Sequence, residues 1–252
     1  MQPASNAERP NAREIDAGLV LALDTSGPSC AVVLARMDGP KLRILASRTE
    51  MMERGHAERL VPLVGELLGD AGFAWSDLGR VGVTTGPGSF TGVRVGIAAA
   101  RGIALALGIP AIGIGTLDAL LDTASEAASG TEIACLDARR GEIYLLARDA
   151  SGRIFVPAHA MAPVAAAQKL LADGVPPYRL IGSGAALLAE ALEREAPGSA
   201  VSILSEAKTP DIAAVARLAA AAAPGLPPVP LYLRGSDAKP QSGGVALADR
   251  SA

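Results

Sequence analysis

Asp24-Thr25-Ser26-Gly27 places a carboxylate, two hydroxyls and a glycine directly after the apolar run 18–23. At a strand end these residue types can hold a phosphate or Mg2+ in a two-domain kinase fold. They also form an Asx turn, in which the side chains satisfy local backbone groups, and the spacing leaves both open. Asp137 closes a second apolar run, 133–136, in the same pattern. Together Asp24 and Asp137 could serve an ATP-dependent small-molecule phosphotransferase from opposite lobes. The glycine-rich segment 86–92, Gly-Pro-Gly-Ser-Phe-Thr-Gly, narrows the options. Thr91 stands where the third glycine of a dinucleotide loop belongs, and no lysine follows as a P-loop requires. Pro87 takes the first position of the Gly-x-Ser-x-Gly elbow, which argues against a serine hydrolase. A helix N-terminus remains, a general attractor of anions.

His56 and His159 have no His, Cys or carboxylate three or four residues downstream, so neither shares a helix face with a second metal ligand, and no metal site is expected. Cys30 and Cys135 lie inside apolar runs without metal spacing, which fits a reducing, intracellular setting rather than disulfides or thiol chemistry. The 252 residues are 50% hydrophobic and 19% charged, enough for one large or two modest domains. A net charge of -3, from 23 Lys+Arg against 26 Asp+Glu, leaves no basic excess for a broad nucleic-acid footprint. Residues 1–14 are polar, with no apolar core, and read as a frayed leader; the Gly/Ser-rich residues 235–252 read as a disordered tail. Charges at Arg101 and Arg217 interrupt the longest apolar stretches, so no membrane span and a cytoplasmic location are expected.

The elements that must position these residues follow from periodicity. Apolar runs at 18–23, 30–35 and 41–48 predict three strands. Leu60, Leu63, Val64, Leu67 and Leu68 recur at helical spacing and Gly72 supplies a C-terminal stop. A buried strand is predicted at 80–85, a helix at 91–107 and a strand at 111–114. Residues 133–137 and 143–146 then repeat the opening strand-Asp-turn-strand pattern, a sign of internal duplication that one shared hairpin leaves open. Strands at 153–156 and 178–181 and helices at 164–172, 185–195 and 212–223 complete an α/β alternation. On the first helix, Leu60, Val61, Leu63, Val64, Gly65 and Leu68 sweep an apolar arc of roughly 200°, wider than one core needs. On the second, the only charges are Arg94 and Arg101. Small residues at 92, 96, 100 and 104, and at 65 and 69, allow close helix approach. A helix-mediated protein interface is therefore expected.

Leu21-Ala22-Leu23-Asp24-Thr25-Ser26, His56 with Leu60 and Val61-Pro62, the run Gly86 to Arg94, Ile112-Gly113, the run Leu136 to Tyr144 and Tyr232-Leu233-Arg234 together resemble the TsaB (YeaZ) family over residues 18–240. Gly-Pro-Gly-Ser-Phe-Thr-Gly-Val-Arg is the specific part. The resemblance implies an α/β, actin-like, Hsp70-like, sugar-kinase-like (ASKHA, ribonuclease H-like) fold of two related lobes, here 15–115 and 116–234. It implies a non-catalytic subunit in tRNA N6-threonylcarbamoyladenosine (t6A) modification, binding the transferase TsaD together with the ATPase TsaE, with no cofactor. Asp24, Thr25 and Ser26 match a vestigial phosphate loop. The paralogous TsaD carries paired metal-binding histidines after the strand equivalent to 111–114; here 115–120 contain none. The family's helical interface falls on 56–71 and 91–107, with His56, Leu60, Val61, Val64, Gly65, Leu68, Val93, Arg94, Ile97, Ala100 and Arg101 as its expected residues. The same face serves TsaD or a homodimer. Contact with tRNA is expected to be indirect, or local at Arg139 and Arg140.

Overall fold

The computed structural model describes residues 19–38, 41–123 and 129–234; the leader and tail expectations lie outside them. The chain opens with β1 (Leu19–Asp24), β2 (Ser29–Asp38) and β3 (Lys41–Met51), followed by α1 (His56–Asp70), β4 (Arg80–Thr84), α2 (Phe90–Leu107), β5 (Ala111–Ile114) and α3 (Thr116–Thr123). Their sheet has the order β3-β2-β1-β4-β5. β1, β2 and β3 pair antiparallel, and β4 and β5 run parallel to β1. All six residues of β1 are buried, as a continuous apolar run covered on both faces requires.

The second half repeats the plan. β6 (Thr131–Arg139), β7 (Glu142–Asp149), β8 (Ile154–Met161), α4 (Pro163–Asp173), β9 (Tyr178–Ile181), α5 (Ala185–Glu195), β10 (Val201–Ser205) and α6 (Ile212–Ala221) follow in the same succession. The sheet order β10-β9-β6-β7-β8, with β6 and β7 antiparallel and β6 and β9 parallel, matches the first strand for strand. The duplication therefore extends over the whole described chain, well past the hairpin that first suggested it.

The third helix of each half is exchanged. α6 lies on β1, β2 and β4 of the first sheet. There Ile212, Val215, Ala216 and Ala219 share one buried cluster with Val20, Ala22 and Val33. α3 goes the other way: Leu117, Leu120 and Leu121 pack with Ala134, Leu136 and Leu146 of the second sheet. The packing thus crosses a cut between residues 115 and 116. Small residues permit it, because a Cβ at Gly82 would stand 2.5 Å from the Cβ of Ala219. Arg80 fastens the exchanged helix, its Nη1 donating to the carbonyls of Ala219, Ala220 and Ala222 at 2.9–3.0 Å. On the opposite face of the first sheet, α1 and α2 cover Leu21, Leu23, Val32 and Val81.

The elements differ from the sequence expectation in several places. α3 and β10 were not foreseen, β3 and β8 run on to Met51 and Met161 past the expected 48 and 156, and α6 ends at Ala221 where 212–223 was expected. α2 is 18 residues long and apolar enough, by length and composition, to cross a membrane, which the expected interruption at Arg101 did not suggest. It is seated against β4, β1, β5 and α1, with Arg94 and Arg101 on its exposed side.

Candidate functional site

The turn after β1 is turned inward. Asp24 and Thr25 are fully buried and Ser26 is 4% exposed. Asp24 Oδ1 accepts from the Ser26 amide at 2.8 Å and from the Thr84 hydroxyl at 2.6 Å, which is Asx-turn geometry extended to a neighbouring strand. The Thr25 hydroxyl donates to the Gly92 carbonyl at 2.7 Å, and the Ser89 amide donates to the Ser26 carbonyl at 2.7 Å. The two segments first considered as phosphate sites are thus spent on each other. Glycine is required where they meet: a Cβ at residue 88 would lie 2.3 Å from the Ser26 oxygen, and at residue 92, 1.9 Å from the Thr25 oxygen. Asp24 Oδ2 and Ser26 Oγ are buried without a hydrogen-bond partner.

Above the turn, a cleft of about 760 Å3 separates the lobes, with Ser26, His56, Ser89, Asp137, Arg139 and Lys208 on its walls. Asp137 is exposed there while Asp24 is not, so the structure does not bring them together as two open carboxylates. Arg139 and Arg140 both adopt positive φ, 63° and 55°, at the tip of the β6–β7 hairpin, a conformation L-residues seldom hold. Asp137 Oδ1 accepts from the Arg139 amide at 2.8 Å and supports that turn. Among the described residues, no three His, Cys, Asp or Glu side chains come close enough to share a metal ion. Where the histidine pair was considered, Thr116, Leu117, Ala119 and Leu120 are buried between the lobes.

The expected helical interface divides into two sets. Leu60, Val64, Leu68, Val93, Ile97 and Ala100 are all 4% exposed or less and belong to the core beneath α1 and α2. The small-residue ridge of α2 faces the same way, Gly92 and Gly96 against Thr25. These residues are corrected from surface to core: the sheet, together with the neighbouring helix, takes the wide apolar arcs. His56 and Gly65 are half-buried, and Val61, Arg94 and Arg101 are exposed. Leu105, 85% exposed, and the exposed Pro62, Ala98 and Gly102 extend this face. The nearby charges of α1 are largely paired on the β3 side, where Arg59 bridges Glu50 and Glu66 and Arg48 reaches Asp70. The Arg59 hydrogen bonds hold the Glu50 and Glu66 carboxyls below their usual range.

Sequence reasoning missed one group at the start of α2. Phe90 and Tyr232 are 59% and 51% exposed and their ring centroids lie 5.7 Å apart. Tyr232 comes from a segment after α6 that crosses the molecule: the Leu231 amide donates to the Thr85 carbonyl at 2.8 Å, and Arg234 pairs with Glu142 of the second lobe. Tyr232-Leu233-Arg234 stands out in the sequence only through the family resemblance, because its Pro-rich approach carries no periodicity to mark it.

A family model described as TsaD: tRNA N6-adenosine threonylcarbamoyltransferase matches residues 44–224. An uncharacterized protein of Mycobacterium tuberculosis is 36% identical over 223 residues, 88% of this chain and 94% of that protein. The tRNA threonylcarbamoyladenosine biosynthesis protein TsaB of Haemophilus influenzae is 30% identical over 227 residues, 85% of this chain and 93% of that one. Among solved structures, YeaZ from Pseudomonas aeruginosa superposes with a TM-score of 0.64 at 28% identity, covering 86% of this chain and all of that one. A second Pseudomonas aeruginosa structure, described as similar to peptidase YEAZ, gives 0.66 at the same identity and coverage. With relatives of that name matched along most of its length, and with its two duplicated α/β lobes superposing on the YeaZ structures, this chain belongs to the TsaB (YeaZ) family, within the wider group that the TsaD model describes.

Proposed function

We propose that the chain is a non-catalytic scaffold in t6A modification of tRNA, working in the cytoplasm, which binds TsaD and stabilises its active form in company with TsaE. The observation that carries this reading is the burial of Asp24 and Thr25, whose Oδ1 and hydroxyl are engaged by Thr84 and Gly92, so that the phosphate-loop-like turn offers little to a substrate. The exposed faces of α1 and α2, with Val61, Gly65, Ala98, Arg101 and Leu105, provide the docking surface. The apolar side chains at 117, 119 and 120, packed between the lobes, support a lobe junction built for packing. Reconstitution of tRNA modification with TsaD and TsaE tests the role: turnover is expected to need this chain, and equal turnover without it would refute the scaffold.

The unpartnered Oδ2 of Asp24, beside a cleft that holds Arg139 and Lys208, favours a second reading as a phosphotransferase. Calorimetric titration with ATP and Mg2+ separates the two. Tight binding abolished by Asp24→Asn supports the enzyme; no heat of binding supports the scaffold.

A further inference from the structure

The exposed start of α2 carries a cation that finds no anion among the described residues. Arg94 Nε donates to the Tyr232 hydroxyl at 2.7 Å. Its guanidinium carbon lies 3.7 Å from the centre of the Phe90 ring and 5.6 Å from that of Tyr232. Arg48, Arg59, Arg148, Arg217 and Arg234 each meet a carboxylate. Arg94 meets none among the described residues, and its two Nη groups have no acceptor there.

Two aromatic contacts and one hydrogen bond already fix the plane of this side chain, so much of its rotamer freedom is lost before any partner arrives. A fixed guanidinium with an unused N–H fork matches a carboxylate in bidentate geometry, which a lysine cannot imitate. The setting selects a protein over a nucleic acid. Arg94 and Arg101 are the only charges on α2, and the two rings that contact Arg94, Phe90 and Tyr232, are both exposed. Arginine flanked by exposed aromatics is the composition of an interface hot spot, whereas phosphate backbones are held by clusters of cations.

We infer that Arg94, oriented by Phe90 and Tyr232, is the anchor for an Asp or Glu carboxylate of the protein that docks on α2. The inference rests on the proposed TsaD interface and adds the chemistry by which the partner is recognised. Binding of purified TsaD to the full chain, followed by calorimetry across a salt series, provides the test. Arg94→Gln is expected to weaken binding roughly tenfold or more and to flatten its salt dependence. Arg94→Lys, which keeps the charge and the fold but loses the fork, should recover only part, and Tyr232→Phe should weaken binding by a smaller factor. Leu105→Glu, about 16 Å further along the helix, reports on the interface itself. If Leu105→Glu abolishes binding while the Arg94 variants bind as the parent does, the anchor is wrong and the interface stands. If none of the variants changes binding, the interface fails and the anchor with it. Loss of tRNA binding with TsaD binding intact would reassign Arg94 to a nucleic acid and overturn the inference.

Discussion

At residue 92 a Cβ would stand 1.9 Å from a backbone carbonyl of the Asp24 turn, whereas at residue 102, on the same helix, it would meet nothing within 4 Å. Gly92→Ala must therefore push α2 from the turn and is expected to lower stability by about 2–3 kcal/mol. Gly102→Ala only removes freedom from the unfolded chain and is expected to raise it by about 0.5–1 kcal/mol. Urea denaturation of the two variants checks the pair; like signs would contradict the close approach. The cysteines give a second residue-scale expectation. Both are fully buried, and burial pushes the thiols up to about 11 at Cys30 and about 12 at Cys135. Neither should react with a thiol-specific disulfide reagent at pH 8 until the protein unfolds, and prompt labelling of the native protein would count against this packing. The glycines show what the sequence could and could not convey. Their four-residue spacing announced a close approach, but spacing has no direction, and the approach is inward to Thr25 rather than outward to a second protein.

Turns and short elements obey local chemistry that a single charge can report. In the β7–β8 turn, the Asp149 carboxylate accepts from the Ser151 hydroxyl at 2.6 Å and from Arg153 Nε at 3.1 Å. These bonds, the Ser151 one foremost, lower its pKa from 3.8 to about 2. A depressed carboxylate pKa stabilises the fold above the unfolded value, and that contribution fades as pH falls through the folded one. Stability measured between pH 4 and pH 2 should thus decline less steeply in Asp149→Asn than in the parent; identical slopes would show that the turn does not hold the charge. At this scale most elements were legible, because β1, α1 and α2 announce themselves by continuous or helically spaced apolar residues. α3 and β10 were not, for a physical reason. α3 spans only eight residues, about two turns and too few for helical spacing to repeat, and β10 is an edge strand with four of its five positions exposed, so it has no buried run to mark it.

Exchange of α3 and α6 makes the two lobes mutually dependent, a property of the whole molecule that neither half displays alone. Without α6, the first sheet exposes the face formed by Val20, Ala22, Val33 and Ile112; without α3, the second exposes Ala134, Leu136 and Leu146. Each removed helix also takes part of a buried cluster with it, and a half of about a hundred residues has little stability to spare. Heat should accordingly unfold the chain in one transition rather than two. A fragment of residues 15–115 is expected to be unfolded or aggregated, while the same fragment joined by a flexible linker to residues 206–224 should regain cooperative unfolding. Circular dichroism melts of the two fragments decide the matter. If 15–115 folds as well alone as with α6 attached, the exchanged helix is dispensable and the lobes are independent. If only the linked fragment folds, the lobe boundary lies in the packing, and a mutation in α6 that loosens the first sheet reaches the docking face on α1 and α2 through the β-strands between them.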